Sequence, residues 1–108
     1  MFGIPYNLIG VKYRLIKSSE YIIWYEMQSR KTQAIIDARF DRIQLDAHFG
    51  FINQFEGLIE LKWTSGMRIY TFIHDRTLVV ALSGGNKNGQ DKDIKKAKKI
   101  REAFLRGT

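Results

Sequence analysis

Gly57-Leu-Ile-Glu-Leu-Lys-Trp63, Met67-Arg-Ile-Tyr-Thr-Phe-Ile-His74 and Thr77-Leu-Val-Val-Ala-Leu-Ser-Gly-Gly-Asn-Lys87 decide how this chain folds. Each run is rich in β-branched and aromatic residues. Ser65-Gly66 breaks the first from the second, and His74-Asp75-Arg76 breaks the second from the third. The spacing predicts a three-stranded antiparallel meander. Alternation then sorts the side chains. Ile59, Leu61 and Trp63 share one face, and Glu60 and Lys62 the other; Ile69, Thr71 and Ile73 oppose Arg68, Tyr70 and Phe72. The first set makes a core face. The second carries Lys62, Arg68 and Tyr70, cations and a hydroxyl that a purely structural sheet has no need of, and it is expected to face solvent. On such a face Arg68→Ala should leave the thermal midpoint nearly unchanged.

Working outward, residues 1–10 show no periodicity and read as an irregular leader. Val11–Lys17 alternates and reads as a strand. Ser18-Ser19-Glu20 is a helix start, a hydroxyl cap followed by an acid near the positive helix end. It predicts a short helix from Tyr21 to Gln28 with Ile23, Trp24 and Met27 turned inward. Ser29 caps a second helix from Arg30 to about Ala47, on which Ile36, Phe40, Ile43 and Ala47 form one stripe with Arg39 and Arg42 off it. Joined so closely, the two make an antiparallel hairpin whose seam suits the oily sheet face. His48–Glu56 reads as a polar-aromatic loop. Beyond Gly84-Gly85 a last helix, about Asp91–Leu105, sets Ile94, Ala97, Ile100 and Phe104 against Lys92, Lys95, Lys99 and Arg106.

The bulk numbers bound the function. A chain of 108 residues is the size of one domain, taken as 1–108 with the C-terminal helix at 90–106. With no cysteine, disulfides and thiolate metal sites are excluded. The longest wholly apolar runs, Tyr21–Tyr25 and Leu78–Leu82, are five residues each, against about 20 for a membrane span. No basic, small-residue-bounded signal peptide frames the N-terminus, so a cytoplasmic protein without membrane contact is expected. Net charge is +7, and residues 86–108 hold eight Lys or Arg against three acids. Charge gathered at one end suits a polyanion such as RNA, or else merely solubilises the helix.

Few motifs carry chemistry. Gly84-Gly85-Asn86-Lys87-Asn88-Gly89 fails the nucleotide-binding loop pattern, yet its backbone amides beside Lys87 and a following helix suit an anionic group. His48 and His74 sit in a loop and a turn, and no ligand-spaced cluster predicts a metal or any other cofactor. Glu60 beside Lys62 reads as an ion pair. Arg68 and Tyr70, two apart on one strand with Lys62 alongside, are the sharpest candidates: arginine grips phosphate with two parallel donors, and tyrosine stacks on a base or meets a ribose hydroxyl.

Glu60-Leu-Lys, Gly66-Met-Arg-Ile-Tyr70 and Leu82-Ser-Gly-Gly-Asn-Lys-Asn-Gly-Gln90, with Asp93-Ile and Ala97 beyond, resemble the RelE/ParE superfamily of bacterial toxins. Within it they are most similar to the phage-Gp49/HigB-like addiction module killer proteins, whose pattern is Glu-Leu-Arg, Gly-Tyr-Arg-hydrophobic-Tyr and Gly-Gly-Asp-Lys-Ser-x-Gln. The chain departs from that pattern at Met67, Asn86 and Asn53, and it has Ala47-His-Phe-Gly-Phe51 where the family often has Gly-Asn-Phe-Gly-Asp. The resemblance spans about residues 12–104. It implies a toxin of a type II toxin–antitoxin module, held by a cognate antitoxin protein of helix-turn-helix type. It further implies an endoribonuclease that enters the ribosome and cuts mRNA without metal, the ribose 2′-hydroxyl attacking the adjacent phosphate. Carried over by position, Arg68, Lys62, Tyr70 and Lys87 are the catalytic candidates; Lys92, Lys95, Lys99 and Arg39 are the candidates for RNA binding.

The fold expected is therefore α+β and RelE-like: a helical hairpin on one face of a small twisted antiparallel sheet, with a basic C-terminal helix. A ParE-like toxin that binds DNA gyrase, and an inactive antitoxin-binding module, are the alternatives.

Overall fold

A computed structural model describes residues 12–84 and 89–107. The elements run β1 (Arg14–Lys17), α1 (Ser19–Glu26), α2 (Arg30–Asp46), β2 (Ile52–Phe55), β3 (Leu58–Lys62), β4 (Arg68–His74), β5 (Thr77–Gly84) and α3 (Gln90–Leu105). The expected α+β architecture is present, with the meander β3-β4-β5 at its centre. The proposed leader, and Asn86 to Asn88 of the glycine turn, lie outside the described residues.

The sheet is five-stranded and mixed, in the order β1-β5-β4-β3-β2, with β1 parallel to β5 and the other pairs antiparallel. One strand is more than the sequence predicts. Ile52–Phe55, expected as loop, pairs with β3 through the two-residue turn Glu56-Gly57, whose φ angles are 50° and 80°. Positive φ at both turn residues gives the hairpin turn whose twist matches its strands. Asp75-Arg76, at 48° and 59°, joins β4 to β5 in the same way. β2 eludes the alternation test because it is an edge strand whose middle residues, Asn53 and Gln54, are both exposed.

Ser18 caps α1 by accepting the Tyr21 amide at 3.0 Å, and Ser29 caps α2 by accepting that of Thr32 at 3.1 Å. Ala47 ends α2 in the left-handed region, at φ 56°. The stripe Ile36, Phe40 and Ile43 is buried against Leu61, Ile69, Leu78 and Val80. In α1 the inward residue is Tyr21, whereas Ile23 and Met27, expected inside, are 62% and 73% exposed. The helix begins two residues earlier than the sequence predicts, at Ser19, and Trp24, expected inside, does pack against the core together with Tyr25.

The opposite face of the sheet is not open, as the sequence suggested. α3 lies over it, and Leu58, Tyr70, Phe72, Val79, Ala81, Leu82 and Ala97 form a second core, flanked by Ile94, Ile100 and Phe104. A bulge in β5 makes this possible. Tyr70 pairs with Leu82 but Thr71 with Val80, so Ala81 and Leu82 both turn toward α3. Among the described residues the sheet is thus packed on both faces, by α1 and α2 on one and by α3 on the other.

Candidate functional site

Strand register defines the site. Lys62 lies opposite Arg68, and the Lys62 amide donates to the Phe51 carbonyl at 3.0 Å, so Phe51, Lys62 and Arg68 make an outer cross-strand row. The next row inward is Asn53, Glu60, Tyr70 and Leu82. Cross-strand partners project to the same side of a sheet, which here is the α3 side. The first turn of α3 rests on the inner row through Gln90, and the outer row lies at the rim.

The middle of the inner row, Glu60 and Tyr70, is buried, and exposed Asn53 closes its edge. Glu60 exposes nothing, yet it is ion-paired with Arg68, whose Nε lies 3.0 Å away, and accepts from Asn53 Nδ2 at 3.1 Å and Gln90 Nε2 at 3.4 Å. A buried carboxylate is tolerable only when so paired. Sequence reasoning put this ion pair on Lys62; the structure gives it to Arg68. Lys62 instead sets its ammonium 4.8 Å from the Phe51 ring centroid.

Tyr70 is wholly buried, which corrects the expectation of a stacking surface. Burial, then the charge of Glu60, pushes its hydroxyl pKa above the ordinary phenol value. It therefore stays neutral through the physiological range. Arg68 keeps 11% of its side chain exposed, with Nε 3.0 Å from Glu60 Oε2.

Arg39 lies apart from this cluster and is not the free phosphate ligand expected. Its guanidinium donates to the carbonyls of Phe49 at 2.9 Å, Phe51 at 2.6 Å and Lys62, and it stacks 4.4 Å from the Trp63 ring centroid. Desolvation lowers its pKa, and its donors are spent on tying α2 to loop 47–51 and β3. Lys92, Lys95 and Lys99 are exposed along the outer side of α3, whereas Lys98 is paired with Glu56. Lys87 lies outside the described residues.

Asn53, Gln90 and Phe51 belong to the site, although the sequence reading names them only within motifs and gives them no role. Asn53 and Phe51 become legible once β2 is seen to pair with β3; Gln90 closes the glycine-turn motif in the sequence, but its contact with Glu60 is not readable there. Among the described residues no group of three or more His, Asp or Glu side chains could hold a metal ion, and no helix is long and apolar enough to cross a membrane.

Two solved structures share the fold. One is an Escherichia coli RelE toxin mutant in the free state, with TM-score 0.63 and 13% identity over 82% of this chain and 96% of that one. The other is the intact E. coli RelBE toxin–antitoxin complex, with TM-score 0.54 and 12% identity over 69% and 98%. The likeness is one of fold, and it defines the class: an α+β protein of RelE-like fold. No family model matches the chain. A Haemophilus influenzae protein described as uncharacterized is 38% identical over 76 residues, covering 68% of this chain and 76% of that protein. The chain belongs to the same family as that protein.

Proposed function

We propose that this protein is the toxin of a type II toxin–antitoxin pair, of the HigB-like branch, and that it is a ribosome-dependent mRNA endonuclease acting in the cytoplasm. The observation that carries the reading is the rim row of Lys62 and Arg68 on a RelE-like fold, two cations side by side above a buried carboxylate. The neighbouring RelBE complex supports an antitoxin protein as partner.

In this reading the two cations hold the scissile phosphate and stabilise the charge that builds up on it. The 2′-oxygen, its proton passing to water, bonds to phosphorus as the P–O5′ bond breaks, and the 5′-oxygen leaves as a hydroxyl protonated by water. Glu60 holds Arg68 in place, and Tyr70, buried and neutral, packs beneath the pair without itself moving a proton. Lys87, three residues ahead of α3 in the sequence, would join them. Such a site is weak in acid–base groups, so positioning of the message by the ribosome supplies much of the rate.

Toeprinting of a translated message with and without the protein tests this. Cleavage on translating ribosomes, with naked mRNA left intact, is expected. Equal cutting of naked RNA would indicate an autonomous ribonuclease. No cutting, with gyrase-dependent DNA damage in cells, would indicate a ParE-like toxin.

A further inference from the structure

We propose that Phe51 is a stacking platform for one nucleobase of single-stranded RNA, beside the phosphate held by Lys62 and Arg68; the proposal rests on the RNA-directed reading above. Single exposed apolar residues are ordinary on protein surfaces. Phe51 differs in how it is held and in what stands next to it.

Phe51 is 62% exposed, yet its backbone is held in place. The Phe51 carbonyl accepts from the Lys62 amide at 3.0 Å and from Arg39 Nη2 at 2.6 Å, while Arg39 Nε holds the Phe49 carbonyl at 2.9 Å. Gly50, at φ 75°, lets the loop lie against the guanidinium; a Cβ there would stand 3.3 Å from Arg39 Nε. The loop is thus anchored to the second helix at the point where it offers an aromatic ring to solvent.

The ring heads the outer row. Strands about 4.8 Å apart place Lys62 next to it and Arg68 roughly 10 Å away, a reach that one nucleotide covers between its base and a neighbouring phosphate. Lys62 already sits over the ring, at 4.8 Å from its centroid. A base stacking there takes the place of the ammonium and hands it to the phosphate, coupling base capture to phosphate grip. The base must be unpaired, since only then is its face free.

The test uses short single-stranded RNA oligonucleotides, intact or wholly abasic, with binding measured both free in solution and on ribosomes programmed with them. Phe51→Ala should weaken intact RNA by about tenfold, as for the loss of one base–aromatic stack, and Phe51→Trp should restore it. All three proteins should bind the abasic strand alike, and a matching thermal midpoint shows that the variants fold. Phe51→Ala binding intact RNA like wild type, or losing as much on the abasic strand, overturns the stacking role while leaving the RNA-directed function standing. Wild type binding RNA in neither setting overturns both.

Discussion

Arg68 Nε stands 3.0 Å from Glu60 Oε2, and Glu60 is wholly buried beneath the first turn of α3. The residue placed to meet a phosphate is therefore also the one that neutralises the buried acid. Anion binding and stability meet in a single side chain. This overturns the expectation that Arg68→Ala would leave the fold undisturbed.

Arg68→Ala should instead destabilise the protein by about 3–5 kcal/mol, the usual cost of leaving one member of a buried pair without the other. Adding Glu60→Gln should recover part of the loss, because the amide carries no charge. Urea unfolding of the two single variants and the double variant measures the coupling; strictly additive losses would show the pair to be independent. Any loss of toxicity in Arg68→Ala has to be judged against this, and the double variant is the fairer probe of activity.

How much of this was legible follows the periodicities. Strong alternation in β3 and β4 placed Lys62, Arg68 and Tyr70 on one face, and the stripe Ile36, Phe40, Ile43 located α2. What alternation cannot say is which element covers a face. Ile94, Ala97 and Phe104 were legible as an apolar stripe, but nothing in their spacing names the second sheet face as its partner, so Tyr70 was assigned to solvent. Arg39 shows the complementary limit. Its role depends on three carbonyls of a distant loop and strand, and carbonyls carry no residue-type signal.

Arg39→Ala should cost about 2–3 kcal/mol in urea unfolding, from lost carbonyl hydrogen bonds and the lost stack on Trp63. Arg39→Lys should recover little, since one compact ammonium cannot serve three diverging carbonyls as a planar fork does. Full rescue by lysine would mean that only the charge matters.

Tyr25 donates to Asp37 at 2.6 Å, bridging α1 and α2, and this hydrogen bond, then burial, pushes its pKa from 10.0 up to about 12. The folded value lies above the unfolded one, so the stabilisation is fully present below pH 10 and is lost as pH rises through about 12. Wild type should therefore exceed Tyr25→Phe in stability at neutral pH, and the gap should close over that alkaline interval. A gap that stays constant up to pH 12 would assign the difference to packing rather than to the hydroxyl.

Lys92, Lys95 and Lys99 stand exposed along one side of α3, away from Ile94, Ala97 and Phe104, which pack on the sheet. Lys98 and Arg101 differ from them: one is paired with Glu56, and the other lies against Gly57, 3.0 Å from where a Cβ would sit. The helix thus has a side that holds the fold and a side left over for a polyanion. Each phosphate contact made with single-stranded RNA contributes roughly 0.7 to the log–log dependence of affinity on salt. Changing Lys92, Lys95 and Lys99 to Glu should therefore lower both RNA affinity and that slope, by roughly 2 for the three together, with little change in thermal midpoint. Lys98→Glu should do the reverse, setting a second acid beside Glu56 and lowering stability more than the slope. If the triple variant keeps the wild-type slope, the lysines serve solubility, and the phosphate contacts come from the rim row alone.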